Sequence, residues 1–406
     1  MRLLIADKLH PRAVEELRAL PISVDYEPDL TSEQLEAKIG GVGILIVRST
    51  EVTASAIEAA RELNLIVRAG ASYATIDVRA ASRRGIYVAN CPGKNAAAVA
   101  ELVFGLMVAV DRRLVDATLS LRNGQWLRKE YGNAEGLYGK TLGIAGMGAI
   151  GHEVALRARA FGMPVVAFSR SLTPARAADL GVGYAASIED LARKSQVLSL
   201  HMALTDRTRG IIGERVFSAL PSRAILINTA RADLIDHAAL AVAIRERGLR
   251  AAIDVVPAEP RGTTAFATEL PFVAAAASGG FLYGTPHIAA STDQAQLSVA
   301  SEAVRVIRRF LLEGDVPNVV NVLKSVARFQ IVVRMQDKIG TFAHVLNVIK
   351  RHGINVEEVA NTVFEGGGAA CAKLRVLSRP AESCLREIRA FDEVLHVDVV
   401  ALPNLA

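Results

Sequence analysis

From Met1 to Asn90, short apolar runs alternate with amphipathic stretches. The runs Leu3 to Ala6, Gly43 to Val47, Leu65 to Val67 and Ile86 to Val88 lack the polar alternation of a half-exposed strand. They therefore predict parallel strands covered on both faces by crossover helices. An alanine-rich helix is predicted from about Ala96 to Leu114. A second series follows, and each of its runs stops at a polar cluster: Leu142 to Ala145, Val165 to Phe168, Val197 to Leu200, Ala224 to Ile227 and Ala251 to Val255. Ligands of doubly wound sheets bind outside the carboxyl ends of the strands, so residues just past these runs are expected to converge.

The pattern is helical again from Thr292 to Leu312 and breaks at Glu313-Gly314-Asp315-Val316-Pro317-Asn318. A linker is expected near Leu323 to Ala327. Beyond it, Phe329 to Met335, a helical Thr341 to His352, Ile354 to Val359, the Gly366-Gly367-Gly368 turn and Ala370 to Leu377 predict a βαββαβ module.

At 406 residues the chain exceeds what one core usually organises, and its 51% hydrophobic and 22% charged residues are those of a globular protein. The apolar runs near Leu102 to Val110 and Phe272 to Ala277 stop short of the roughly 18 residues of a membrane span. Met1 to Asp7 reads as a first strand rather than a secretory signal, which leads us to expect a cytoplasmic protein. Cys91, Cys371 and Cys384 have no metal-ligand spacing, so free thiols and no metal site are expected. The net charge of +5 is scattered rather than gathered in a stripe, which argues against nucleic acid and suits small anionic ligands.

Gly146-Met147-Gly148-Ala149-Ile150-Gly151 follows the Leu142 run and opens a predicted helix, His152 to Phe161. Three glycines at this spacing are a weak signal alone; the strand before and the helix after make it a strong one. Gly146 permits a tight turn, Gly148 lets the backbone approach a pyrophosphate, and the helix N-terminus at Ala149, Ile150 and Gly151 offers N–H groups to its charge. A bound NAD or NADP is the expectation. An NAD site usually ends its second strand with an acidic residue, but this chain has Ser169-Arg170-Ser171. A hydroxyl and a guanidinium suit a 2′-phosphate, so NADP is expected to be accepted; the alternative leaves Arg170 in solvent with NAD still used.

Three further strand ends carry candidate chemistry: Asn228-Thr229-Ala230-Arg231, Asp254 to Pro260 and Thr285-Pro286-His287-Ile288. Thr229 and Asp254 are assigned to the cofactor. Oxidising a hydroxy acid needs a base that takes the hydroxyl proton as hydride leaves carbon, and the His287 imidazole is the candidate. Glu259 can hold the ring by one nitrogen, while Arg231 can grip a carboxylate and polarise a carbonyl. Cys91, beside a candidate substrate loop, reads as a small buried hydrophobe.

Together Arg231, Glu259 and His287 resemble the catalytic residues of the D-isomer-specific 2-hydroxyacid dehydrogenase family, over almost the whole chain. The likeness is greatest to its phosphoglycerate-oxidising members with one C-terminal ACT domain. It implies oxidation of D-3-phosphoglycerate to 3-phosphohydroxypyruvate, the first step of serine biosynthesis. It implies a Rossmann nucleotide domain over 96–291, a discontinuous flavodoxin-like substrate domain over 1–95 and 292–322, and a ferredoxin-like ACT domain over 328–406.

By the same resemblance, Arg48 and Ser49 meet the substrate's phosphate or distal group, Arg68 and Gly70 meet its carboxylate, and Asn95 faces it. Asp337 and Asn355 fall at effector-binding positions for an amino acid such as serine, and paired ACT sheets imply a homodimer or homotetramer. An ACT fold kept solely for dimerisation is the alternative. Ser72 and Thr75 replace the usual glycine and asparagine, Ala232 replaces a glycine, and Phe272 to Gly284 is longer than the family's connection. Glyoxylate or hydroxypyruvate reduction is the alternative activity, and a nucleotide-binding regulatory protein without chemistry is the alternative class.

Overall fold

The four N-terminal apolar runs form strands, joined by a fifth that their pattern does not announce. The computed structural model describes residues 1–259, 270–277, 280–323 and 326–403. Strands β1 (Arg2–Ile5), β2 (Ser23–Tyr26), β3 (Ile44–Val47), β4 (Leu65–Arg68) and β5 (Tyr87–Ala89) make a parallel sheet of order β2-β1-β3-β4-β5. Leu3, Leu4, Ile5, Ile44 and Leu45 are fully buried, each contributing about 1.5–3 kcal/mol by leaving water. β2 is one of the two edge strands and its residues stay exposed or half-buried, so it carries no apolar run. Helix Asp293–Glu313, capped by the Thr292 hydroxyl and ended by Gly314 at φ 68°, returns to this sheet. It packs Ala300, Ala303, Val304 and Ile307 into one core with Leu3, Ile5 and Val67.

The second series forms a parallel seven-stranded sheet: β6 (Leu142–Ala145), β7 (Val165–Phe168), β8 (Gly183–Tyr184), β9 (Val197–Leu200), β10 (Ile225–Asn228), β11 (Arg250–Ile253) and β12 (Phe281–Gly284). Its order is β12-β11-β10-β9-β6-β7-β8, the doubly wound arrangement expected, with strand order reversing between β6 and β9. Of the longer connection from Phe272 to Gly284, residues 278 and 279 lie outside the described residues, and the rest belongs to a helix, Gly280 and a strand. Helix Pro271–Ala277 buries Phe272 against His237 of helix His237–Arg247, ring centroids 5.5 Å apart, and β12 then extends the sheet beside β11. The helix predicted to run to Leu114 is Ala96–Arg112; Arg113 turns left-handed at φ 51°, and Leu114 starts a separate helix, Leu114–Arg122.

The described chain divides into two compact units, Met1–Asn321 and Val322–Ala406. Of the predicted linker, residues 324 and 325 lie outside the described residues. The second unit is β13 (Phe329–Gln336), helix Thr341–Arg351, β14 (Val356–Val363), β15 (Ala369–Val376), helix Glu382–Arg389 and β16 (Val394–Ala401). Its sheet is antiparallel in the order β14-β15-β13-β16, the ferredoxin-like topology. Ile331, Val333, Ala372 and Leu374 pack with Val345, Val348 and Ile388 as its core. No helix among the described residues is long and apolar enough to cross a membrane.

Candidate active site

The β6 turn assigns each glycine a separate physical task. Gly146 has φ 106°, and a Cβ there would lie 2.6 Å from the His201 carbonyl oxygen, because the turn crosses the end of β9 at the reversal of strand order. A Cβ on Gly151 would lie 2.1 Å from the Gly146 carbonyl oxygen, so the helix can start this close to the strand only without a side chain. At Gly148 a Cβ would meet no protein atom within 4 Å, so this glycine leaves its room on the open side. The helix starts at Ala149, earlier than predicted, with Gly148 as its N-cap and no acidic residue in its first turn. Its N–H groups are thus available to an anion.

Past β7, Ser169 is half-buried and Arg170 exposed, with no side-chain partner for the guanidinium among the described residues. Past β10, Asn228 is fully buried; its amide donates to the Arg231 carbonyl at 3.0 Å and accepts from Ala230 N at 3.0 Å, which shapes the turn. The same turn buries the Thr229 hydroxyl without a hydrogen-bond partner. Buried polar atoms left unpaired by the protein are where a ligand is expected, so the residues here fit a dinucleotide. His201, just past β9, was missed by sequence reasoning. Its Nε2 lies 2.8 Å from Ser199 Oγ, its Nδ1 has no partner, and enclosure of the ring lowers it to about 3, so it stays neutral.

His287 and Glu259 meet: Nδ1 lies 2.6 Å from Oε2. Asp254 organises the loop that delivers the histidine. Its carboxylate, 1% exposed, accepts from the Thr285 hydroxyl at 2.6 Å and from the N–H groups of Ile288 at 2.8 Å and Ala289 at 2.9 Å. The sequence reading gave Asp254 to the cofactor; the structure turns its carboxylate inward, onto the histidine loop.

Arg48, Arg68 and Arg231 gather from β3, β4 and β10. Burial, and after it the neighbouring Arg48 and Arg231 guanidiniums, hold Arg68 below the ordinary guanidinium range. Its Nε is buried without a partner. A Cβ on Gly70 would fall 1.4 Å from Arg68 Nη1, so this glycine makes room for the guanidinium. Cys91 N donates to the Gly70 carbonyl at 2.9 Å and the Asn90 amide to Ala71 O at 2.6 Å, tying the next loop to this turn. Burial pushes the Cys91 thiol up to about 12, in keeping with an inert packed cysteine. Ser49 commits its hydroxyl to Asp7 at 2.8 Å, and half-buried Asn95 caps helix Ala96–Arg112 without a side-chain bond.

The structure does not bring the two effector candidates together within one chain. Val356 of β14 and Phe329 of β13 both pair with Val376, whereas Gln336 pairs with Ala369 at the far end of β15. Asp337 and Asn355 therefore flank opposite ends of strands that span about 26 Å. Asn355 spends its amide on Glu357 at 2.8 Å.

The sequence profile of the D-isomer specific 2-hydroxyacid dehydrogenase NAD binding domain matches residues 104–289. Hydroxypyruvate reductase of Thermotoga maritima is 42% identical over 289 residues, covering 69% of this chain and 90% of that protein. D-3-phosphoglycerate dehydrogenase of Methanocaldococcus jannaschii is 38% identical over 323 residues, covering 79% of this chain and 59% of that protein. The chain thus spans about three fifths of the length of the curated phosphoglycerate dehydrogenases it matches first, 59% and 63%. The crystal structure of NAD+-bound 3-phosphoglycerate dehydrogenase in Entamoeba histolytica superposes with a TM-score of 0.64 at 29% identity, over 80% of this chain and 99% of that one.

Proposed function

Because this chain belongs to the D-isomer specific 2-hydroxyacid dehydrogenase family, we propose that it oxidises D-3-phosphoglycerate to 3-phosphohydroxypyruvate with NAD or NADP. The observation that carries this reading is the 2.6 Å contact of His287 Nδ1 with Glu259, on the strand-end loops of the sheet that also holds the glycine turn. With Nδ1 held by the carboxylate, Nε2 is left to take the substrate hydroxyl proton, and Glu259 stabilises the resulting imidazolium. Arg231 grips the substrate carboxylate and polarises the carbonyl oxygen as it forms. Arg48 and Arg68 supply two further cations, which suits a substrate with a second anionic group.

Gly146, Gly148 and the first turn at Ala149, Ile150 and Gly151 would hold the pyrophosphate, Ser169 and Arg170 the adenosine ribose, and Thr229 the region beside the reacting carbon. The bound nicotinamide supplies the hydride acceptor. In this reading 1–95 with 292–322 binds substrate, 96–291 binds nucleotide, and 328–406 is an ACT domain. That last domain pairs subunits into a homodimer or homotetramer and takes an amino acid such as serine, in a cytoplasmic enzyme. Asp337 and Asn355, at opposite sheet ends, would then serve one site only by coming from two subunits.

Hydroxypyruvate or glyoxylate reduction is the second reading. The 42% identity to the Thermotoga maritima hydroxypyruvate reductase and the departures at Ser72 and Thr75 favour it. Following NAD(P)H absorbance with 3-phosphohydroxypyruvate, hydroxypyruvate and glyoxylate in parallel separates the two. The highest kcat/KM on the phosphorylated acid is expected, a preference for either other acid transfers the assignment, and no turnover on any ends both. Activity unchanged up to millimolar serine would remove the effector role.

A further inference from the structure

Asp7 follows β1, is 8% exposed, and takes no part in the chemistry described so far. Its Oδ2 accepts from three successive backbone N–H groups of the turn after β3: Arg48 at 2.7 Å, Ser49 at 3.1 Å and Thr50 at 3.0 Å. Its Oδ1 accepts from the Ser49 hydroxyl at 2.8 Å. Consecutive N–H groups converging on one anion form a concavity that would otherwise attract an external anion. Here the protein fills it with its own carboxylate. The Thr50 hydroxyl shares its one proton between the carbonyls of Ala6 and Leu30, both at 3.2 Å, so the turn is pinned from β1 as well.

The pinned turn carries Arg48, whose guanidinium has no hydrogen-bond partner among the described residues. Arg68 feels Arg48 and Arg231 as like charges and Asp7 as an opposing one. A charge-assisted set of bonds holds backbone more firmly than neutral ones, and an internal anion lets several guanidiniums share one small region.

We propose that Asp7 is a positioning residue for substrate-anion recognition, fixing the turn that presents Arg48 beside Arg68 while its own oxygens remain occupied by protein donors. This inference rests on the reading that Arg48 and Arg68 meet the substrate. Asp7→Ala should release the turn and leave three N–H groups without an acceptor. Asp7→Asn keeps an oxygen for those N–H groups, and the Ser49 hydroxyl can rotate to accept from the new amide.

The test is steady-state kinetics on the full chain with 3-phosphohydroxypyruvate and NADH, together with calorimetric titration of D-3-phosphoglycerate without nucleotide, which needs no turnover. For Asp7→Ala we expect KM for the keto acid and Kd for D-3-phosphoglycerate to rise about tenfold or more, with KM for NADH within about twofold of wild type. Asp7→Asn should recover both anion constants to within about threefold. If Asp7→Ala does not accumulate folded, Asp7→Ser, which offers one short acceptor, should raise both anion constants several-fold. Unchanged anion constants in the variant measured, or an equal loss of NADH affinity, overturn the proposal. Wild-type protein that reduces no keto acid, yet binds D-3-phosphoglycerate more weakly after Asp7→Ala, would end the proposed reaction and leave the positioning role standing.

Discussion

His287 places Nδ1 2.6 Å from Glu259 Oε2, and the turns that bring them together both use left-handed backbone: His287 itself has φ 53°, and Ala258, beside Glu259, has φ 49°. Non-glycine residues adopt this conformation at a cost of about 1–2 kcal/mol, so the surrounding loops must hold it in place. A base delivered this way should be indispensable. His287→Ala is expected to lower kcat by about 10²- to 10⁴-fold with the cofactor Kd unchanged, while Glu259→Gln should alter the pH profile of kcat/KM more than its maximum. Steady-state rates across pH check both, and near-normal turnover in His287→Ala removes the proposed base.

Asp254 is the group that holds the histidine loop. Replacing it by asparagine sets an amide NH2 against at least one N–H that now donates to the carboxylate, from Ile288 or Ala289. Asp254→Asn should cost about 1–3 kcal/mol of stability and also lower kcat, with substrate KM little changed. Thermal unfolding with parallel kinetics distinguishes the roles: a lower apparent Tm at full kcat would make Asp254 structural only.

The parts of this fold that read clearly from sequence are those where chemistry restricts residue choice. Strands buried on both faces must be continuous apolar runs, so β1, β3, β6 and β9 were visible. The glycine turn was visible because no side chain fits at Gly146 or Gly151. β2 was hidden because none of its four residues is fully buried, whereas β5, at the other edge, buries Val88 and Ala89 and kept its apolar run. The stretch from Phe272 to Gly284 was opaque because the alanine run of helix Pro271–Ala277 carries no polar face to set a period, and β12, Phe281–Gly284, is a four-residue strand that stays half-buried or exposed. Asp7 and His201 follow their strands as single polar residues, and what each meets depends on which strand lies alongside. Strand order and direction are not written in spacing, so that Asp337 and Asn355 lie at opposite sheet ends emerges only from the strand pairing.

Arg170 tests whether the end of β7 selects the nucleotide. It is exposed and without a partner among the described residues, so its guanidinium is available to a 2′-phosphate. Arg170→Ala should lower kcat/KM for NADPH about tenfold or more and leave that for NADH within about twofold. Equal losses with both nucleotides, or a wild-type enzyme that strongly prefers NADH, would show that this residue does not read the phosphate.

Glu302 offers a pH test of how the substrate loop is anchored. The carboxylate, 5% exposed, accepts from Arg305 Nη2 at 2.6 Å and from the Asn318 amide at 2.6 Å, and pairs with Lys94 at 3.3 Å. It thereby ties the loop before Asn95 to helix Asp293–Glu313 and to the segment after it. The Arg305 bonds above all, then those from Asn318 and Lys94, outweigh burial and lower Glu302 from its ordinary 4.5 to about 2. A folded value below the unfolded one means that the unfolded chain binds this proton first. The stabilisation is therefore complete above about pH 4.5 and is lost as pH falls toward 2. Glu302→Gln should destabilise by about 3 kcal/mol at pH 7, and the gap in apparent Tm between wild type and variant should narrow steadily below pH 4.5. Circular-dichroism melts at pH 7, 5, 4 and 3 measure that gap; one that stays constant across the series would mean the carboxylate's charge contributes nothing to holding the loop.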